Sequence, residues 1–241
     1  MAMQWTSASQ ATTVGGAKMC VYGPSGMGKT VLSATLPAPV LISAESGALS
    51  LRRANLERLF GVGTAGITYD IPMIVVQSVD DLTAAYDWCA RAPEAAQFQS
   101  VALDSISEIG EVVLANAKRQ VKDPRQAYGE LIEKMTNLIR LFRDLPKKHV
   151  YMAAKMEANK DELTSTTRFG PSMPGVKLAQ QLPYFFDEVF RLGTNKDANG
   201  TPYRFLQTQP DIQYEAKDRS GMLGPIEYPH LGAVIAKMLA A

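Results

Sequence analysis

Gly23-Pro24-Ser25-Gly26-Met27-Gly28-Lys29-Thr30 fills the pattern G-x-x-x-x-G-K-[ST] at every fixed position. Ala17-Lys18-Met19-Cys20-Val21-Tyr22 reads as a short buried strand running into this stretch, and Thr30-Val31-Leu32-Ser33-Ala34 opens a helical pattern directly after it. Strand, glycine loop and helix in that order is the setting a P-loop requires. The glycines let successive backbone N–H groups turn inward on phosphate oxygens, and the following helix points its positive end at the same anion. Lys29 then reaches the β- and γ-phosphates, and the Thr30 hydroxyl holds Mg²⁺. A structural glycine turn is the bland alternative, and the flanking elements weigh against it.

Outward from the loop, Pro37 and Pro39 close the first helix, and Val40-Leu41-Ile42-Ser43 reads as a second buried strand. Glu45 projects from its C-terminal end, the edge of an α/β sheet where ligands bind. Arg52, Arg53 and Arg58 fall on the helical stretch that follows, and residues 60–69 read as a loop. Met73-Ile74-Val75-Val76 is a further strand, and Ser78 caps a helix with Asp80 and Asp81 in its first turn. Ser100-Val101-Ala102-Leu103-Asp104 is apolar until it ends in a carboxylate, the form of a Walker B strand whose Asp stabilises the Mg²⁺ shell.

A helical region runs from Glu108 towards Val121. From Gln126, Leu131, Met135, Leu138, Phe142 and Leu145 recur at alternating steps of four and three, which predicts an amphipathic helix stopped by Pro146. His149-Val150-Tyr151-Met152-Ala153-Ala154 is another buried strand, ending at Lys155. Residues 156–175 are polar and turn-rich, a loop or long hairpin of a length usually reserved for function or motion. Two strands flanking Asn199-Gly200 predict an antiparallel hairpin, and residues 229–241 a terminal helix. The whole predicts an α/β protein with a mostly parallel sheet and an antiparallel extension, one domain over residues 17–241 behind a flexible arm of residues 1–16. Trp5, the one large apolar residue of the arm, could dock on a neighbouring subunit.

Composition sets limits. Of 241 residues, 46% are hydrophobic, enough for a sizeable core, and the net charge of +1 excludes nucleic-acid binding by bulk charge, so any such binding must come from a local patch. No run reaches membrane-span length and no charged-then-apolar leader begins the chain, which predicts a cytoplasmic protein. Cys20 and Cys89 lie far apart in apolar contexts and read as buried free thiols, and His149 and His230 have no ligand-like neighbours.

The ordered set of motifs resembles the ATPase core of RecA-type recombinases. More narrowly, Val21 to Thr30, Leu103-Asp104-Ser105, Phe186-Asp187-Glu188-Val189 and Glu215-Ala216-Lys217-Asp218-Arg219 resemble phage-encoded AAA-like ATPases grouped with RecA-like single-strand annealing proteins. The resemblance implies ATP and Mg²⁺ as ligands, with Gly23, Pro24, Ser25, Gly26, Met27, Gly28, Lys29, Thr30 and Asp104 holding the nucleotide and metal. It makes Glu45 the water-activating carboxylate, because Ser105 stands where many AAA+ ATPases carry that Glu; a carboxylate merely placed at a helix N-terminus is the alternative. Lys217 and Arg219 match a basic pair inserted into the ATP site of the adjacent subunit, against the reading of a solvated basic edge. Arg52 is either an adenine-stacking group or a surface residue. Lys155 stands where the family usually carries a polar amide sensing the γ-phosphate, a departure from the pattern that couples ATP to DNA.

The same resemblance places single-stranded DNA on two regions, residues 118–128 with Lys118, Arg119, Lys122 and Arg125, and residues 156–173 with Lys160, Arg168 and Phe169; a solvated helix end and a loop are the alternatives. The expectation is a slow, DNA-stimulated ATPase that assembles as a ring or filament and anneals single strands, with a single-strand-binding protein as a further partner. A DnaB-like helicase motor, a small-molecule kinase with residues after Lys155 as lid, and a nucleotide-gated assembly module without turnover are the competing readings.

Overall fold

A computed structural model describes residues 15–45, 48–160 and 166–240. Most of the N-terminal arm, Trp5 included, lies outside the described residues. In chain order the elements are β1 (Lys18–Gly23), α1 (Lys29–Leu32), β2 (Pro39–Ser43), α2 (Arg53–Phe60), β3 (Met73–Val75), α3 (Val79–Arg91) and β4 (Ser100–Asp104). They continue with α4 (Ile106–Gln120), α5 (Pro124–Arg143), β5 (His149–Lys160), β6 (Thr167–Pro171), α6 (Val176–Gln181), β7 (Glu188–Lys196), β8 (Pro202–Gln207), β9 (Lys217–Asp218), β10 (Ile226–Glu227) and α7 (Leu231–Met238).

The main sheet runs β10-β8-β7-β1-β5-β4-β2-β3, parallel from β7 to β3 and antiparallel at β8 and β10. β1, β2 and β4 are buried along their whole length, as parallel strands covered on both faces must be. Alternate side chains feed two cores. Cys20, Tyr22, Ile42, Leu103 and Met152 face Leu82, Val113, Leu131, Met135 and Phe142 from α3, α4 and α5. Met19, Val21, Leu41, Ala102 and Tyr151 face Leu32 beneath the P-loop and Leu231, Val234 and Ile235 of α7. Strand β5 therefore sits between the P-loop strand and the Asp104 strand, in a mostly parallel sheet, flanked by helices, that ends in C-terminal antiparallel strands.

Several local expectations hold. Ser78 caps α3 by accepting the Asp81 N–H, Pro146 follows α5 closely, and the β7–β8 turn closes at Asp197 with Gly200 at a positive φ of 80°. Helix α5 begins two residues earlier than its apolar pattern, because Asp123 caps it and Pro124 takes the first helical position. The polar stretch after Lys155 is an antiparallel hairpin, with Met156 opposite Pro171 and Lys160 opposite Thr167. Both cysteines are buried free thiols, burial pushing the Cys89 thiol up to about 11. His149 and His230 are structural: Nδ1 of the first accepts the Ala17 N–H, and Nδ1 of the second caps α7. No helix among the described residues is long and apolar enough to cross a membrane.

At the start of β7 the buried Glu188 faces Asp218, and one Glu188 oxygen has no hydrogen-bond partner while the other accepts the Ser220 N–H. Burial, reinforced by the Asp218 charge, pushes the Glu188 carboxyl up to about 8. The folded chain thus keeps a proton that the unfolded chain releases near 4.5, so stability falls as pH rises through that window. Glu188→Gln keeps the acceptor for Ser220 and removes the titration. Thermal melts of the variant are expected to lose the decline between about pH 5 and 8 shown by the parent; parallel curves would show that Glu188 is ionised when folded.

Candidate active site

The sequence around the P-loop is held from below and from both sides. The Tyr151 hydroxyl, fully buried in the sheet, donates to the Lys29 carbonyl at 2.8 Å. Thr35, just past α1, donates to the Leu32 carbonyl and accepts the Leu231 N–H, tying the end of the P-loop helix to α7. Gly28 needs its glycine for a φ of 97°, and the Arg204 guanidinium lies close above it, Nη1 falling 2.5 Å from where a Cβ would stand. On the other flank a Cβ on Gly23 would meet the Leu192 carbonyl oxygen at 2.7 Å, so β7 packs directly on the loop.

Above the loop is a cavity of about 710 Å³, within the range of small-molecule sites. The P-loop residues Gly23, Pro24, Ser25, Gly26, Gly28, Lys29 and Thr30 line it, together with Glu45 just beyond β2, Asp104 and Ser105 at the end of β4, Glu108 in the first turn of α4 and Lys155 of β5. Strand register explains the convergence, since Ser43 lies beside Asp104 and Gly23 beside Lys155. Met27 is not among the lining residues; it packs against the core on the α7 side.

Lys29 Nζ donates to the carbonyls of Gly23 and Pro24 at 2.8 and 2.9 Å, curling back over its own loop. Burial lowers its pKa, and Asp104 and Glu45 oppose that shift. Asp104 is buried, which raises its carboxyl, while a hydrogen bond from Thr30 works the other way. Thr30 and Asp104 are thus already paired where a divalent cation bridging to phosphate would be held, so these residues fit Mg²⁺ by side-chain chemistry as well as by motif. The bound ion would supply charge neutralisation along the phosphate chain.

Glu45 is exposed at the end of β2, and Ser105 reaches it: the Ser105 hydroxyl donates to Glu45 Oε1 at 3.1 Å and accepts the Glu108 N–H that starts α4. Position 105 therefore supplies no carboxylate of its own but orients the one on β2. The sequence held a signal for half of this, since Ser105-Ile106-Ser107-Glu108 has capping-box spacing. Glu108 in turn pairs with Lys155 at 2.6 Å, which raises the Lys155 pKa.

Other residues singled out from sequence fall elsewhere. Arg52 is exposed and outside the cavity lining, whereas Arg58 and Asn55 of the following helix line it. Lys217 and Arg219 lie towards the opposite end of the sheet from their own P-loop: Lys217 is in register with Val189, and Val189 with Cys20, three residues before Gly23. There Lys217 donates to the Pro183 carbonyl and Arg219 to Asp187. Lys118, Arg119, Lys122 and Arg125 are exposed around the turn between α4 and α5. Lys160 and Arg168 are exposed on the β5–β6 hairpin, and Phe169 is half-buried with its ring stacked on Tyr214. Arg204 is a lining residue that sequence did not mark; the fold of β8 onto β7 brings it over the loop.

A glycine cradle, an Asp and Thr paired beside it, and a carboxylate at the same sheet edge are the parts of a P-loop ATPase site. The chain belongs to the AAA domain family AAA_24, whose model matches residues 15–220. No match was found among curated proteins. Among solved structures the chain is similar to flagellar accessory protein FlaH from Methanocaldococcus jannaschii, at 13% identity and a TM-score of 0.43 over 84% of this chain and 80% of that one. It is also similar to a KaiC-like protein from Pyrococcus horikoshii OT3, at 15% identity and a TM-score of 0.40 over 79% and 77%.

Proposed function

We propose that the protein hydrolyses ATP slowly, assembles with copies of itself in a ring or filament, and binds single-stranded DNA to promote annealing. Within this reading Thr30 and Asp104 would hold Mg²⁺, which would supply charge neutralisation, Lys29 binds the phosphates, and Glu45 takes the proton of the attacking water. The observation that carries the DNA half is the position of Lys155. It lines the nucleotide cavity, and the next residue, Met156, is the first of the hairpin that carries Lys160, Arg168 and Phe169. The strand joint itself is braced, because the Lys155 N–H donates to Ser107 Oγ and the Lys155 carbonyl accepts the Ser172 N–H. A change in the Glu108–Lys155 pair on nucleotide binding therefore has a short covalent route to the hairpin. The ion pair takes the place of the amide sensor that the family resemblance implies.

The test is ATP turnover with and without single-stranded DNA, with sedimentation in each condition. Stimulation of turnover together with faster sedimentation is expected. Neutralising Lys118, Arg119, Lys122 and Arg125 together is expected to weaken strand binding and flatten its dependence on salt, by about 0.7 in log–log slope for each phosphate no longer neutralised. Turnover indifferent to DNA, with an unaltered salt slope, would remove nucleic acid from the reading and leave an ATPase.

A further inference from the structure

Arg204 lies on β8, opposite Thr194 of β7, and its guanidinium reaches back over the P-loop, with Nη1 only 2.5 Å from where a Cβ on Gly28 would stand. It is half-buried, lines the nucleotide cavity, and makes no hydrogen bond or ion pair among the described residues. The other cations of the site are engaged: Lys29 with loop carbonyls, Lys155 with Glu108, and Arg58 with Asn55. A partly desolvated guanidinium with five donors and nothing to receive them calls for an anion. The nearest structure able to hold one is the loop beneath it.

From this geometry we infer that Arg204 binds the polyphosphate of the nucleotide in the same subunit that supplies the P-loop, and that it does so in the ground state, for di- and triphosphate alike. This rests on the reading of the cavity as an ATP site. The sheet order decides which part of the reaction Arg204 serves. Moving along the sheet from β1, Arg204 arrives from β8 on one side, while Glu45 and Asp104 arrive from β2 and β4 on the other. Attack by water takes place on the Glu45 side. A cation over Gly28, at the mouth of the loop and away from that side, meets charge that is present before and after hydrolysis, so its contribution is to affinity rather than to the chemical step.

Isothermal titration of ADP and of ATP with Mg²⁺, on the full chain, tests this. Arg204→Ala is expected to weaken both nucleotides by a similar factor, about 10- to 100-fold for removal of a charge-assisted hydrogen bond, and Arg204→Lys to recover part of it. KM for ATP should rise with kcat little changed. Melting of the nucleotide-free variant should match the parent, since the guanidinium has no partner within the described fold to lose. Unchanged affinity for both nucleotides would take Arg204 off the phosphates, and weakening of ATP alone would move it to the γ-phosphate and overturn the ground-state role. Either result, with Lys29→Ala still abolishing binding, leaves the ATP site intact; a parent protein that binds neither nucleotide sinks the ATP reading and this inference together.

Discussion

Replacing Glu45 by Gln is expected to slow ATP hydrolysis by about 10²- to 10⁴-fold, the usual share of a general base, while ATP affinity stays within a few-fold of the parent. Asp104 and Glu45 are not equivalent. Asp104 is buried, accepts from Thr30 and has its pKa raised by burial, so it is placed to hold a cation. Glu45 stands exposed at the strand end, lines the cavity and has one oxygen held by Ser105, which suits it to a water. Gln at position 45 keeps an oxygen for the Ser105 hydroxyl and cannot take a proton. The variant thus removes the chemistry and keeps the local structure. Single-turnover measurements on preformed ATP complexes read the chemical step without assembly or product release. Turnover equal to the parent would pass the base role to another group and favour a nucleotide-gated module, in which binding alone does the work.

How much of this arrangement can be read without coordinates depends on where the stabilising interactions are local. The parallel strands are legible because burial on both faces makes them unbroken apolar runs, and the P-loop because its spacing encodes a backbone shape. Ser78 and Asp123 announce their helices through side chains that bond within three residues. The β5–β6 hairpin is less legible: Lys155 to Lys160 leaves the buried part of the sheet, its residues are mostly polar, and its partner strand supplies the pattern. β9 and β10 have two residues each and exist only through pairing with β7 and β8. The site divides in the same way. Gly23 to Thr30, Glu45 and Asp104 are placed by motif and strand end, whereas Ser105 holding Glu45, Glu108 holding Lys155 and Arg204 over Gly28 join positions up to 176 residues apart, and no local pattern marks them.

Removing Lys217 and Arg219 together is expected to lower kcat by about 10³- to 10⁵-fold if the pair acts as a cationic finger, and mixing decides whether it acts on a neighbour. In its own chain the pair cannot serve the P-loop, being several residues down the sheet and directed at the segment from Pro183 to Asp187. Lys217 lines a second cavity, of about 740 Å³, with Arg168, Lys177 and the outward-facing Tyr184. Burial lowers the Lys217 pKa, with the neighbouring Arg219 charge adding to the shift, and an incoming phosphate would reverse both. For the pair to engage a neighbour's γ-phosphate, Lys217 must exchange the Pro183 carbonyl, and Arg219 the Asp187 carboxylate, for phosphate oxygens. Both are single contacts, and the Arg219 ion pair is largely exposed, where such pairs contribute little. Equimolar Glu45→Gln and Lys217→Ala/Arg219→Ala chains, each inactive alone, would then form head-to-tail contacts of which about one in four joins an intact carboxylate to an intact pair. Turnover should recover to about a quarter of the parent's in the mixture. Co-sedimentation of the two variants with no recovery of hydrolysis would mean that the pair does not complete a neighbour's site, and would leave each pocket to work with its own cations, Lys29, Arg58, Lys155 and Arg204.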